Sequence, residues 1–262
     1  MKKYIFFLFL TLSVLLTSCI STHDLIYLQN KEGDKAASTI AAVAAKPYRV
    51  QVNDVMSISI KTIDPKLVAI FSTVNEGEVG KSPTGLYFDG YTVDDHGNIR
   101  IPILGEVNVI GFTLDEIRQK IEKQLLADYF KKEANVFVTV KLAGFKYTIN
   151  GEVGSTGTKT LFQDTVTIME AIANSGDITV TGDRKAVTII RQTPTGTQMH
   201  DIDLTNRNVM QSPYYHLQPN DYIYVKPLKQ KTWGTGKTGL ESLSTFITLL
   251  SLATTTFFLL TK

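Results

Sequence analysis

Between residues 48 and 227 the apolar side chains recur at two different spacings, and this change of period fixes the class of fold. Tyr48, Val50 and Val52 alternate with polar residues, Asn53-Asp54 interrupts, and Met56, Ile58 and Ile60 resume with period two, which predicts strand, turn, strand. Twice the period lengthens. Thr113-Leu114-Asp115-Glu116 has the form of a capping box, in which the threonine oxygen accepts from the third helical N–H and the glutamate returns to the cap. Leu114, Ile117, Ile121 and Leu125 follow at helical spacing and define one buried face. Thr167-Ile168-Met169-Glu170 opens a second, shorter helix that Asn174-Ser175-Gly176 stops, since glycine accepts a positive φ beyond the last turn. Short strands with single helices between them predict an α+β fold.

The first unit, over 47–143, contains the hairpin pieces around His96-Gly97-Asn98 and Gly105, then the longer helix, then the strand "NVFVTVKL". The second, over 144–228, begins with "FKYTINGEVGSTGTKTLF", two strands about a glycine-rich turn. It continues through "AVTIIR" and "MHDIDL" and ends with "YYHLQPNDYIYVKP". Two strands, a helix and further strands in so short a span suggest a β-grasp-like arrangement. Its closing Asn220-Asp221 turn echoes Asn53-Asp54, as a reused element would.

The ends read differently. Lys2 and Lys3 precede an apolar run over 4–16 and then small residues, the layout of a secretory signal peptide over 1–18. Leu16-Thr17-Ser18-Cys19 is similar to the bacterial lipoprotein box, which predicts cleavage before Cys19 and acylation of its thiol. Cys19 is the single cysteine, so no disulfide forms within one chain, and stability rests on packed cores. Residues 19–46 read as a tether. The formal charge of +2 is supplied by the two leader lysines, so nothing in the balance argues for nucleic acid.

No constellation of a hydrolase or metalloprotein stands out. Gly236-Lys237-Thr238 matches the end of a phosphate-binding loop, but Lys231 occupies its first glycine position, and a basic hinge fits better. His23, His96, His200 and His216 have no second histidine or cysteine at ligand spacing, so no metal or other cofactor is expected. Asp94-Asp95-His96 reads as a solvated turn. A carboxylate pair assembled by folding has no sequence signature, and the sequence offers no positive sign of one.

The stretch over 242–260 is uncharged and long enough to span a bilayer, at about 20 residues and roughly 30 Å. On a helix Glu241, Ser244, Thr248, Ser251 and Thr255 fall on one narrow stripe, with Leu243, Phe246, Ile247, Leu250, Ala253, Phe257 and Phe258 covering the rest. Two readings follow. The hydroxyls bond their own backbone in a plain anchor, or the stripe faces water in a ring of helices. Trp233 with Lys229, Lys231 and Lys237 marks the entry interface.

"YRVQVNDVMSISI", "DDHGNIRIPILGEVNVIGFTLDEI", "INGEVGSTGTKTLF", "TIMEAIANSGDIT" and "VTIIR", in that order, resemble the outer-membrane polysaccharide export lipoproteins of the Wza type. The first two resemble the polysaccharide export domain and the rest an SLBB domain. The motif turns fall at Asn53, Asp54, Gly97, Pro102, Gly105, Gly111, Gly151, Gly176, Asn220 and Asp221, with Asn53 and Asn220 standing where the family has glycine. Asparagine accepts the left-handed backbone such turns need. The resemblance implies a ring-shaped homo-oligomer, an octamer by analogy, with a barrel of C-terminal transmembrane amphipathic helices. It implies an acyl anchor in the outer membrane, soluble domains in the periplasm, and passage of capsular polysaccharide or exopolysaccharide. An inner-membrane polysaccharide co-polymerase is the implied partner, and no covalent chemistry is involved. The competing expectation is a monomeric, lipid-anchored periplasmic protein that binds or degrades glycans.

Overall fold

The structure is a computed structural model and describes residues 22–30, 43–62, 85, 89–130, 135–193, 195–229 and 247–256. Between 43 and 229 it forms two bodies, each built on its own apolar core.

In the first body β1 (Val55–Lys61) lies between β2 (Tyr91–Thr92) and the later β5 (Phe137–Leu142), antiparallel to both. β3 (Asn98–Ile101) and β4 (Gly105–Asn108) form a separate hairpin in which Ile99 faces Val107. The helix α1 (Leu114–Asp128) closes over them. Thr113 Oγ1 accepts from Glu116 N at 3.3 Å and Thr113 N donates to Glu116 Oε2 at 2.7 Å, so both arms of the expected capping box are made. Ile117, Ile121 and Leu125 are wholly buried against Met56, Ile99, Val107 and Val138. Burying a side chain of this kind contributes roughly 1.5–3 kcal/mol, enough for three of them to hold a helix this long in place.

The second body is a five-stranded sheet with β6 (Phe145–Gly151), β7 (Gly157–Leu161), β8 (Gly182–Thr193), β9 (Gly196–Ile202) and β10 (Tyr222–Pro227) in the order β7-β6-β10-β8-β9. The first and last of these strands, β6 and β10, run parallel side by side at its centre. The helix α2 (Ile168–Asn174) covers one face, where Tyr147, Ile149, Ile189, Ile223 and Val225 are buried. Its capping box closes as the longer one does, with Thr167 N to Glu170 Oε2 at 2.7 Å. Gly151 shows why glycine stands at the end of β6: its φ is +96°, and a Cβ there would lie 2.0 Å from the Val225 carbonyl oxygen.

Two expectations are corrected and one is made more specific. Residues 48–52 enter no ladder. Val50 instead exchanges bonds with the loop before α1, donating to Phe112 O at 3.0 Å and accepting from Gly111 N at 2.9 Å. Period two fixes which side chains are buried but not where the backbone finds its partners. The hairpin expected beside Gly105 forms, with Ile101 paired to Gly105 across a turn at Pro102 and Leu104, while Gly97 sits in a tight bend whose Asp94 carboxylate accepts from His96 N and Asn98 N. And the segment read as a tether is fastened over 22–30: Tyr27 and Leu28 pack on the second core, and Leu28 N donates to Leu204 O at 3.1 Å.

Candidate functional site

The repeat glimpsed in the two Asn-Asp turns is longer than two residues. Tyr48-Arg49-Val50-Gln51-Val52-Asn53-Asp54 and Tyr215-His216-Leu217-Gln218-Pro219-Asn220-Asp221 share Tyr, a buried aliphatic residue, Gln, Asn and Asp at equal spacing. They also share their bonds. Asp54 N donates to Gln51 O at 3.3 Å and Asp221 N to Gln218 O at 3.1 Å. Each aspartate returns a carboxylate oxygen to its glutamine N–H, at 2.8 Å and 2.7 Å. Asn53 and Asn220 take φ of 70° and 68°, the left-handed backbone that asparagine tolerates and most residues avoid. Val50 N and Leu217 N each donate to the carbonyl just before a capping threonine, Phe112 and Val166. Each body therefore carries the same unit: an apolar strap laid beside the helix N-terminus, a tight turn, then the central strand.

The units meet. Asn220 Nδ2 donates to Asp54 Oδ1 at 3.1 Å, and Tyr48 Oη donates to Asp54 Oδ2 at 2.7 Å. Burial pushes the Asp54 carboxyl above the ordinary aspartate value, while donation from Gln51 N, Tyr48 and Asn220 pulls the other way. Burial, and then the neighbouring Asp54 charge, push the Tyr48 phenol well above the ordinary tyrosine value, so it stays a donor. On the far side Arg191 grips Asp221 with two bonds, Nε to Oδ1 at 2.8 Å and Nη2 to Oδ2 at 2.7 Å, in an almost solvent-free position where Asp221 is 1% exposed. Two parallel N–H donors matched to a carboxylate are the strong form of this contact. Every carboxylate oxygen at the joint is engaged in holding backbone or partner, which suits a rigid joint and leaves no oxygen directed at a substrate.

Gly97, Gly105, Gly111, Gly151 and Gly176 all take positive φ, and Pro102 opens the hairpin turn; these lie in several different loops and do not converge on one site. Among the described residues no group of three or more His, Cys, Asp or Glu side chains could hold a metal ion. Tyr48 was read from sequence only as an alternating strand position, and Arg191, Tyr27 and Leu28 were not singled out. The shared Tyr-x-x-Gln-x-Asn-Asp signature could have found the first of them.

Thr248, Ser251 and Thr255 lie on the helix 247–256, all of whose residues are exposed. Ser251 Oγ donates to Thr248 O at 2.8 Å and Thr255 Oγ1 to Ser251 O at 2.6 Å; Thr254 and Thr256 likewise bond the preceding turn. Beside them Ile247, Leu249, Leu250 and Leu252 are more than half exposed. Among the described residues no helix is long and apolar enough to cross a membrane. Cys19, Glu241 and Ser244, the phosphate-loop-like stretch from Lys231 and Trp233 lie outside the described residues.

A family model described as polysaccharide biosynthesis/export protein matches residues 42–141, and one described as SLBB domain matches 146–225. The chain is similar to the EPS I polysaccharide export outer membrane protein EpsA of Ralstonia nicotianae, 29% identical over 154 residues, covering 56% of this chain and 39% of that protein. It is also similar to the protein of the same name from Ralstonia solanacearum, 28% identical over 151 residues, 56% of this chain and 40% of the relative. The chain thus spans about two fifths of the length of the curated relatives it matches. Its two bodies follow the order of the two matched models, and the chain belongs to the polysaccharide export family in which a polysaccharide biosynthesis/export domain is joined to an SLBB domain.

Proposed function

We propose that this protein is an outer-membrane export component that carries capsular polysaccharide or exopolysaccharide from the periplasm to the cell surface. The observation that supports it is the ordered pair of bodies, matched to the two family models and fixed to each other at the Asn-Asp joint. We take 47–143 as the polysaccharide export domain, 144–228 as a β-grasp-like SLBB domain, and 229–262 as hinge and transmembrane helix. Cys19 carries the acyl anchor, and the soluble domains lie in the periplasm. Several copies assemble into a ring, eight by family analogy, docked to an inner-membrane polysaccharide co-polymerase. In such a ring the helices close a barrel with Glu241, Ser244, Thr248, Ser251 and Thr255 inward. The joint gives such an assembly what it needs, two bodies that do not swivel against each other. The role is transport, with no covalent step.

A second reading is supported by the hydroxyls of the helix 247–256. Those of Ser251, Thr254, Thr255 and Thr256 are bonded to their own backbone, so they can sit in hydrocarbon without a watery lumen. The chain would then be a monomer held by a plain anchor. The two readings separate in one experiment. The full chain, extracted in mild detergent, is weighed by native mass spectrometry and imaged by electron microscopy, and polymer release is followed in cells lacking the protein. Rings together with loss of surface polymer support the exporter; monomers in both detergent and lipid, with polymer release unchanged, overturn it.

A further inference from the structure

The sheet of the second body ends in two open edges. β7 and β9 are its outermost strands, and among the described residues neither has a ladder partner on its outer side. Such an edge offers a row of backbone N–H and C=O groups to any added strand, and proteins that must stay apart guard it with charge, proline or a bulge. From Gly196 to His200 β9 carries none of these guards: its residues are Gly, Thr, Gln, Met and His, and its ladder with β8 is unbroken. Met199, in the middle of this run, is 65% exposed. β7 carries one charge, Lys159, whose Nζ is turned back to donate to Ser155 Oγ at 2.8 Å.

The strand directions make the two edges complementary. β10 runs parallel to β6 and antiparallel to β8, while β7 is antiparallel to β6 and β9 antiparallel to β8. β9 therefore points the same way as β10, and β7 the opposite way. When a second copy is set beside the first in the same orientation, its β7 meets β9 antiparallel, the arrangement whose hydrogen bonds lie straight across. A register follows as well. Thr158, Thr148, Tyr222, Ile190 and Met199 stand opposite one another in turn across all five strands, on the face away from α2. Continuing that row into the next copy sets Met199 opposite Thr158, so that residues 196–200 pair with 157–161, the whole of β7.

We infer that β9 of one copy of this chain pairs antiparallel with β7 of the next, so that neighbouring second bodies share one continuous sheet. A seam of β9 against β9 would also be antiparallel, but it stops at two copies and leaves both β7 edges open. The head-to-tail seam covers both edges of every copy. Because it joins two different surfaces, it closes into a ring where its rotation allows. This inference rests on the multi-copy assembly proposed above and adds to it the surface on which neighbours meet.

The test uses the full-length, natively processed protein in mild detergent and a short bismaleimide cross-linker. Met199→Cys and Thr158→Cys are made singly and together, and the parent chain, whose only cysteine is Cys19, sets the background. Within one copy the two positions lie on opposite edges of the sheet, four strand steps or about 19 Å apart, so the linker joins them only between copies. The double variant should give a ladder of covalent multimers severalfold above either single variant. Dimers from Met199→Cys alone, above the parent background, place β9 against β9 and overturn the seam. Rings seen by native mass spectrometry with no cross-link in the double variant leave the assembly standing and remove the seam. A monomeric parent removes the assembly and the seam with it. Met199→Lys reads the same edge without a thiol. It should lower the share of protein in rings severalfold while the dissociated chain keeps its denaturant midpoint, and rings as abundant as the parent's overturn the seam.

Discussion

Asn220 donates through Nδ2 to the Asp54 carboxylate at 3.1 Å, a contact between two residues that occupy neighbouring places in the same turn, one copy in each body. Where the resembled family has glycine, this chain has an asparagine whose backbone does what glycine's would and whose amide reaches across the boundary. The partner asparagine, Asn53, takes the same φ but points to solvent. One of the two substitutions thus preserves a turn, and the other preserves a turn and joins two bodies.

Asn220→Gly should keep the left-handed turn and lose only the cross-boundary bond, lowering stability by about 0.5–1.5 kcal/mol. Asn53→Gly, with the same backbone change and no such bond, should stay within about 0.5 kcal/mol of the parent. Denaturant midpoints at equal m-value read the difference. Equal midpoints for the two variants would show that the Asn220 amide fastens nothing.

Asp54 predicts a pH dependence whose sign can be worked out. Its folded carboxyl lies above the ordinary 3.8 because burial outweighs three donors. A raised folded value means that the stability contributed by this group is fully present below the unfolded value and is lost as pH rises through the folded one. Asp54→Asn keeps the shape and removes the proton. The unfolding free energy of the parent minus that of this variant should therefore fall between the two values, no more steeply than about 1.4 kcal/mol per pH unit. If the difference grows with pH instead, the donors from Gln51, Tyr48 and Asn220 prevail over burial and the carboxylate is the favoured form.

Arg191 and Asp221 form the one pair at the joint from which water is almost excluded on both sides, with side-chain exposures of 10% and 1%. Arg191→Met should destabilise by about 3–5 kcal/mol, because it strands a buried carboxylate. Arg191→Met combined with Asp221→Asn should recover part of that loss, since the amide oxygen of Asn at this position can still accept from Gln218 N. A double variant no more stable than the single one would place the effect in lost packing around Tyr214, whose ring lies under the guanidinium.

What could be read in the sequence follows from how local each signal is. The two helices were legible to the residue at their starts, because a capping box needs four consecutive positions and both boxes close with the expected bonds. The apolar positions of β5, β6 and β10 were legible from period two. The docking of 22–30 was not, because Leu25-Ile26-Tyr27-Leu28 is a single short apolar run without a period, and the partners of Tyr27 and Leu28 lie about 150 to 180 residues away. Arg191 had no local signature either; its role appears only when β8 and β10 bring it to Asp221. The helix stripe was legible as a pattern, but periodicity cannot tell a hydroxyl that faces water from one that bonds the preceding turn.

That ambiguity sets the most discriminating measurement. Thr248 and Leu250 are two residues apart on the helix 247–256, so they lie at nearly one depth and on different faces. In a barrel of such helices a lysine at 248 meets water, whereas a lysine at 250 meets hydrocarbon, at roughly 2.5–3.5 kcal/mol on insertion scales. Position then matters more than residue type. Thr248→Lys should leave the protein assembled in the outer membrane and change polymer release, and Leu250→Lys should reduce the amount inserted. In a plain anchor both faces meet lipid or protein alike, and the two lysines should impair insertion to the same degree. Membrane fractionation together with labelling by an impermeant thiol reagent at 248, 251 and 255 against 249, 250 and 253 reads both effects. Equal labelling of the two sets, with equal loss of insertion, would rule out the lumen and leave the self-bonded hydroxyls as the whole explanation of the stripe.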